Sequence, residues 1–445
     1  VSANVSLPGP NQRVLDAQKR VCTGPHLSRP MEDPAAVLGL VAAAATGEPA
    51  AAGAVSPAQI GALLGAMCIR RGFAAGATWS DQEAAALATF RDGFGDYAAL
   101  LDGRSGDAAV DRVLAGEHLC RDTTAAVLRR IAAGELAPAT AAALLIGQRM
   151  NIESDDELLG YVDVCRPAHA RSVNADSVLH LGEPYDGMAR YFRPTLFVAA
   201  TCAAMGQPVV LHGVRAMPPK NGVTDEQVIA ALDGPVDLDL DRAAALVGDA
   251  DVGFAHINRR AFAPDADAFA ELRLHIKKRP AFATAEKSVV VFRGRRASHV
   301  VAGYFHPGYE RKLLAAMHDQ GVDGGVAVKG LEGSTNLALR SRGDEPTFNL
   351  WHARDGDGHF DPSAAGFDYA DNERARLDAE RTAEAGTAAL LGEAGSARDT
   401  IVVNAAWLLA RLGGDDLASA VRRANDAIDS RAAARHLEAY IDGSL

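Results

Sequence analysis

The sequence predicts an α/β chain in which a helical amino-terminal part precedes a mostly parallel sheet flanked by helices. Three observations carry this reading. Residues 33–170 have helical patterning and contain a repeat, residues from about 174 alternate strand-like and helix-like runs, and the tail returns to helices. Such alternation implies a parallel sheet covered by helices, with ligand sites at the carboxyl ends of its strands.

Taken in order, the opening stretch VSANVSLPGPNQRVLD is rich in Pro, Gly and Ser and has no apolar core, so residues 1–32 are expected to form a flexible arm. In the helical part, VSPAQIGALLGAMCIRRG from Val55 can be laid on LAPATAAALLIGQRMNIE from Leu136. Pro57 then meets Pro138, and Leu63 and Leu64 meet Leu144 and Leu145. Each copy precedes a capping box, Ser80 with Glu83 and Ser154 with Glu157. We therefore expect an extra helical repeat over 33–120 and a helical dimerisation domain over 121–172, whose Ala-rich stripes need a partner to bury them.

The α/β domain is expected over 173–352. NADSVLHL, QPVVLH, DVGFAHI, KSVVVF, SHVVAGYF and GGVAVK read as its strands, and TLFVAATCAAMG, TDEQVIAAL, ADAFAELRLHI and PGYERKLLAAMHDQG as the helices between. Residues 353–397, rich in Asp, Gly, Ala and Glu, read as a peripheral insertion. Residues 398–445 read as carboxy-terminal helices packed on the α/β domain.

Composition narrows the functional classes. Of 445 residues, 48% are hydrophobic and 23% charged, as in soluble globular proteins, and no apolar run reaches the roughly 20 residues of a membrane span. The five cysteines are widely spaced without a C-x-x-C pair, which points to thiols in a reducing compartment rather than disulfides or zinc. The chloroplast stroma or the cytoplasm is the expected location; the Val start and Ala-rich composition are compatible with organellar import. A net charge of −12 opposes whole-surface attraction to nucleic acid, yet Arg259 to Arg296 holds ten Lys or Arg against four acidic residues.

One loop gathers chemistry. LHGVRAMPPKNG, residues 211–222, lies between a strand and a helix that Thr224 and Gln227 can cap, so it brings His212, Arg215 and Lys220 to a helix N-terminus suited to phosphate. Tyr185, Tyr191 and Phe192 lie near it in sequence and could stack bases, although packing beneath the loop is the expected use. No Ser/His/Asp arrangement, Walker loop or paired metal-ligand spacing stands out.

The helical start, the loop after the second strand and the tail NAAWLLARLGGDDLASAVRRANDAIDS together resemble the anthranilate phosphoribosyltransferase family, from about Arg121 to the end, with the first helical repeat and residues 353–397 outside the resemblance. The resemblance implies the nucleoside phosphorylase and phosphoribosyltransferase type of fold. Where that family has a Lys-His-Gly-Asn loop, only His212 and Gly213 remain. Its Gly-Thr-Gly-Gly-Asp loop corresponds to LGEPYDGMARYFRP, which keeps Gly182 and Asp186, and its magnesium-binding Asp-Glu pair is represented by Glu332 alone.

These replacements are similar to those of the family's nonenzymatic, nucleic-acid-binding homodimers, matched here by Tyr185–Arg190, His212 with Gly213, and Gly330, Glu332 and Gly333. The resemblance then implies a phosphate-ligand site of Gly182, Tyr185, Asp186, His212, Gly213, Arg215 and Lys220, with no catalytic residue. A basic stripe of Arg273, Lys277, Lys278, Arg279 and Lys287 would contact single-stranded nucleic acid. No cofactor is expected, and Mg²⁺ at Glu332 enters only in the alternative of an active phosphoribosyltransferase. A homodimer through the amino-terminal helices is the expected partner arrangement, and a structural subunit of an organellar assembly is a third reading.

Overall fold

The structure, a computed structural model, describes residues 7, 9–47, 54–340, 348–352, 356–367, 369, 374–414 and 416–443. Their contacts divide the chain into a helical unit, residues 1–164 with 265–283, and an α/β unit, residues 165–264 with 284–445.

The helical unit is organised around the repeat. Helices Pro57–Arg70 and Pro138–Asn151 each begin with proline, whose missing N–H costs nothing at a helix start. They pack in the same direction: Gly61 lies against Ala139, Gly65 against Ala143, and Gly147 against Ile69. A β-carbon at Gly61 would sit 2.0 Å from the Ala139 carbonyl oxygen, so the small-residue ridge sets the helix separation. This face of the Ala-rich stripe is thus filled within the chain.

Both capping boxes form. Glu83 also pairs with Arg70 at 2.7 Å, both side chains fully buried, while Arg70 donates further to the carbonyls of Ala77 and Thr78. The expected arm is partly helical: Gln12–Val21 forms a helix capped by Asn11, and Val14, Leu15 and Val21 are buried. An apolar i, i+1, i+7 set was enough to anchor it despite the Pro- and Gly-rich lead. The flexible-arm expectation for residues 1–6 and 8 lies outside the described residues.

The α/β unit holds strands β1 (Arg171–Ser172), β2 (Ser177–Gly182), β3 (Val209–Gly213), β4 (Phe254–Asn258), β5 (Phe292–Arg293), β6 (Ala297–Gly303), β7 (Gly324–Val328), β8 (Phe348–His352) and β9 (Gly356–Phe360). Seven form one sheet in the order β4-β3-β2-β6-β7-β8-β9; β4 to β7 are parallel, and β8 and β9 add antiparallel at the edge. The winding reverses between the adjacent β2 and β6, a switch point that opens a crevice at the strands' carboxyl ends.

Two expectations are corrected here. KSVVVF contributes only Phe292, which with the following Arg293 pairs with β1 in a separate two-stranded sheet. The N–H groups of Val291 and Phe292 donate to His180 Nε2, both at 3.2 Å, and that of Val290 to Gln320, so side chains take the place of a ladder. The segment 353–397 is not simply peripheral: it completes the β8–β9 hairpin and contributes helix Ala379–Leu390, whose Gly386 lies against the buried Phe197 ring. The rest of that expectation, at 353–355, 368 and 370–373, lies outside the described residues. Helices Ser396–Gly413, Leu417–Asp429 and Ala432–Ile441 close the unit. Among the described residues no helix is long and apolar enough to cross a membrane.

Candidate functional site

The loops leaving β2, β3 and β7 meet at the switch point. Gly187, at φ 73°, lets the β2 loop lie flat against the β3 loop, where Met188 and Val223 exchange N–H to carbonyl bonds of 2.9 and 2.7 Å. That contact brings Tyr185, Asp186, His212, Gly213, Lys220 and Glu332 into one neighbourhood, as their motif order suggested.

Most of this neighbourhood is bonded to itself. Tyr185 is buried, its hydroxyl 2.7 Å from His212 Nδ1, with the Arg259 guanidinium 5.8 Å from the ring centre. Burial, with His180 and His256 nearby, drives His212 down to about 3, so its ring is neutral. Burial likewise lowers His256 to about 4. Gly182 does not open the backbone to a ligand: a β-carbon there would stand 1.8 Å from the Lys287 carbonyl oxygen. Its missing side chain serves internal packing.

The helix after the β3 loop, Asp225–Ala231, is capped by Thr224 and Gln227 as expected, but its first turn is acidic. Asp225 is buried against Arg193 in a two-point bond of 2.7 and 2.6 Å, and Glu226 accepts from Asn258 at 2.6 Å. Carboxylates therefore stand where the loop reading seated a phosphate. Glu183 is also buried and accepts from Thr335 N and Oγ1; burial raises its carboxyl even with Arg193 3.9 Å away. Between the β2 and β3 loops, Glu183, Tyr185, Arg193, His212, Thr224 and His256 line a cavity of about 10 Å³, roughly one water in size.

Glu332 and Lys220 form the second half of the site. Glu332 has left-handed backbone, φ 54°, and its side chain is 2% exposed. Its carboxylate accepts from the consecutive N–H groups of Ala189, at 3.1 and 3.2 Å, and Arg190, at 2.8 Å. Lys220 Nζ lies 3.4 Å from Glu332 and 3.7 Å from Asp186, an ammonium held between two carboxylates. Burial works to raise the Glu332 carboxyl, but Lys220 and the two N–H groups outweigh it and hold it below the usual range. Arg215 is exposed on the same loop.

The basic stripe is dispersed. Arg273 is 2% exposed and belongs to the helical unit, so it presents no charge to solvent. Lys287 is buried in the α/β unit, donating to the Gly303 carbonyl with Gly333 O at 3.5 Å. Lys277 and Lys278 are half-buried and Arg279 is exposed. Lys278 borders a surface groove with Lys19, Arg20 and Arg29; burial, helped by Arg149 and Lys19 and opposed by Cys22, lowers its ammonium.

Chain comparisons place this geometry. The family model for the helical bundle domain of a glycosyl transferase family matches residues 108–168, and that for its a/b domain matches 192–434. The anthranilate phosphoribosyltransferase of Myxococcus xanthus is 31% identical over 350 residues, covering 76% of this chain and 98% of that protein. The chain belongs to the anthranilate phosphoribosyltransferase family. The Arthrobacter enzyme is 29% identical over 353 residues, covering 75% of this chain and 94% of its own length.

Among solved structures, the anthranilate phosphoribosyltransferase of Thermus thermophilus shares the fold, with a TM-score of 0.59 at 22% identity over 76% of this chain and 99% of that one. The Saccharomyces cerevisiae enzyme in complex with PRPP and Mg gives 0.53 at 13% identity over 92% and 98%.

The two carboxylates that could meet magnesium here already have internal partners. Glu332 is engaged by two N–H groups and Lys220, and Asp186 faces the same ammonium. Among the described residues no three His, Cys, Asp or Glu are grouped to hold a metal ion. The Arg193–Asp225 pair was not foreseen in the sequence, because a separation of 32 positions carries no periodic cue. Tyr191 and Phe192 line a mainly apolar hollow of about 320 Å³, and Phe192 stacks on Phe197 with ring centres 6.1 Å apart.

Proposed function

We propose that this family member binds phosphate-bearing ligands without transferring a sugar, and that single-stranded nucleic acid is its ligand class. The observation that carries the reading is the ammonium of Lys220 between Asp186 and Glu332, with Glu332 on the Ala189 and Arg190 N–H groups. An internal cation and an internal anion thus take the positions at which metal and phosphate chemistry would be expected. The adjoining cavity of about 10 Å³ is far below the roughly 300 Å³ at which ligand pockets begin. Lys277, Lys278 and Arg279, with Lys19 and Arg29, supply cations on the surface of the helical unit, in and beside a groove that Asp16 and Glu32 also line.

The likeness to the Myxococcus enzyme over nearly its whole length supports a second reading, an active phosphoribosyltransferase. That reading requires the Glu332 and Asp225 contacts to open. Retention on a single-stranded oligonucleotide at low salt, with Lys277, Lys278 and Arg279 all changed to Glu, tests the first reading. Wild-type retention with loss in the variant is expected; equal retention removes this surface from the interface. A homodimer belongs to the same proposal and rests on the resemblance to nonenzymatic family members.

A further inference from the structure

Glu332 behaves as a stand-in ligand. Its carboxylate rests on two successive backbone N–H groups, with Lys220 at 3.4 Å and the half-exposed Arg190 guanidinium at 3.7 Å. Consecutive N–H groups aimed at one oxyanion, reinforced by two cations, are the donors a phosphate group takes. The left-handed backbone at Glu332 is disfavoured for a residue with a side chain, and here it delivers the carboxylate to those donors.

A second feature adjoins the seat. Phe305, in the loop leaving β6, is a large aromatic residue left 54% exposed at the carboxyl end of the sheet. It lies against Gly333, the residue after Glu332, where a β-carbon would be 3.4 Å from its own. His306, also exposed, meets the Phe305 ring edge-on with centres 5.0 Å apart. An exposed aromatic ring beside an oxyanion seat is the pairing that holds one nucleotide of a single strand, base on the ring and phosphate on the cations.

We propose that Ala189, Arg190, Lys220 and Phe305 form a one-nucleotide seat whose phosphate position Glu332 holds from within, so that an incoming phosphate competes with this carboxylate. The proposal rests on the nucleic-acid reading above but uses a different surface from Lys277–Arg279. It adds no catalytic step.

The test titrates the full chain with inorganic pyrophosphate and, separately, with a short oligothymidylate. Glu332→Ala should tighten pyrophosphate binding about tenfold, and Glu332→Gln, which keeps an acceptor for the N–H groups, should tighten it less. Adding Lys220→Gln to Glu332→Ala should abolish the gain. Phe305→Ala should weaken the oligonucleotide about tenfold and leave pyrophosphate unchanged. Unaltered pyrophosphate binding in both Glu332 variants overturns the seat, and Glu332→Gln decides the matter should the alanine variant unfold. A gain for pyrophosphate with no oligonucleotide binding by any form keeps the phosphate position but overturns the nucleotide assignment and the nucleic-acid reading together. Oligonucleotide binding that depends on Lys277–Arg279 but is indifferent to Phe305 and Glu332 overturns the seat alone.

Discussion

His180 shows how far one residue can set the chemistry of this fold. It lies fully buried in β2, accepting at Nε2 from Val291 and Phe292 while Nδ1 faces the His299 carbonyl at 3.3 Å. Only the neutral ring protonated at Nδ1 satisfies all three partners. Burial therefore lowers it to about 3. The unfolded chain takes up a proton as pH falls through about 6.5 and the folded chain does not, so the stabilisation is complete above that value and declines toward pH 3. Each such histidine contributes a slope of about 1.4 kcal/mol per pH unit. Glu183, raised by burial, acts in the opposite sense, its contribution fading as pH rises through its folded value. Urea unfolding between pH 7 and 5 should show wild type weakening on acidification and His180→Gln less stable at pH 7 but with a shallower acid slope. Parallel slopes would remove His180 from this account. Nothing in the sequence around His180 foretold the role, since its partners lie about 110 residues away.

At the scale of elements, the repeated helices and their caps were legible because proline starts, capping boxes and apolar spacing are local signals. The partner of Glu83 was not, although the capping box was read correctly: Arg70 reaches it through the turn at Ala77 and Thr78. Removing the carboxylate leaves a buried guanidinium unpaired, so Glu83→Ala should destabilise by about 3–5 kcal/mol in chemical denaturation. A loss under about 1 kcal/mol would mean that Arg70 finds water. Gly61→Ala should also destabilise strongly, by about 1–3 kcal/mol or more, because its methyl meets backbone rather than a yielding side chain. The comparison position is Gly134, with open space around it but φ 76°, where any penalty comes from backbone conformation alone. A thermal-melt shift no larger at Gly61 than at Gly134 would contradict the ridge as the determinant of helix spacing. KSVVVF misled for the converse reason: apolar composition reports burial, whereas pairing was decided by His180 and Gln320.

Over the whole molecule, fold and family were readable from motif order, whereas the state of the cleft was not. The sequence placed His212 and Lys220 in one loop and Glu332 in another; that Lys220 faces Glu332 and Asp186 depends on side-chain directions no spacing encodes. The basic run divided in the same way, with Arg273 and Lys287 buried and Lys277–Arg279 left at the surface. If the surface members contact three phosphates, binding to a single strand should fall with salt with a slope about 2 smaller in the triple Glu variant than in wild type. Equal slopes would assign the electrostatic contact elsewhere. The central claim, that internal charges close this cleft to sugar transfer, is tested most directly by supplying phosphoribosyl pyrophosphate, Mg²⁺ and anthranilate and following pyrophosphate release. The account predicts no release above the protein-free blank, and enzyme-dependent turnover lost in a Glu332→Ala variant would contradict it.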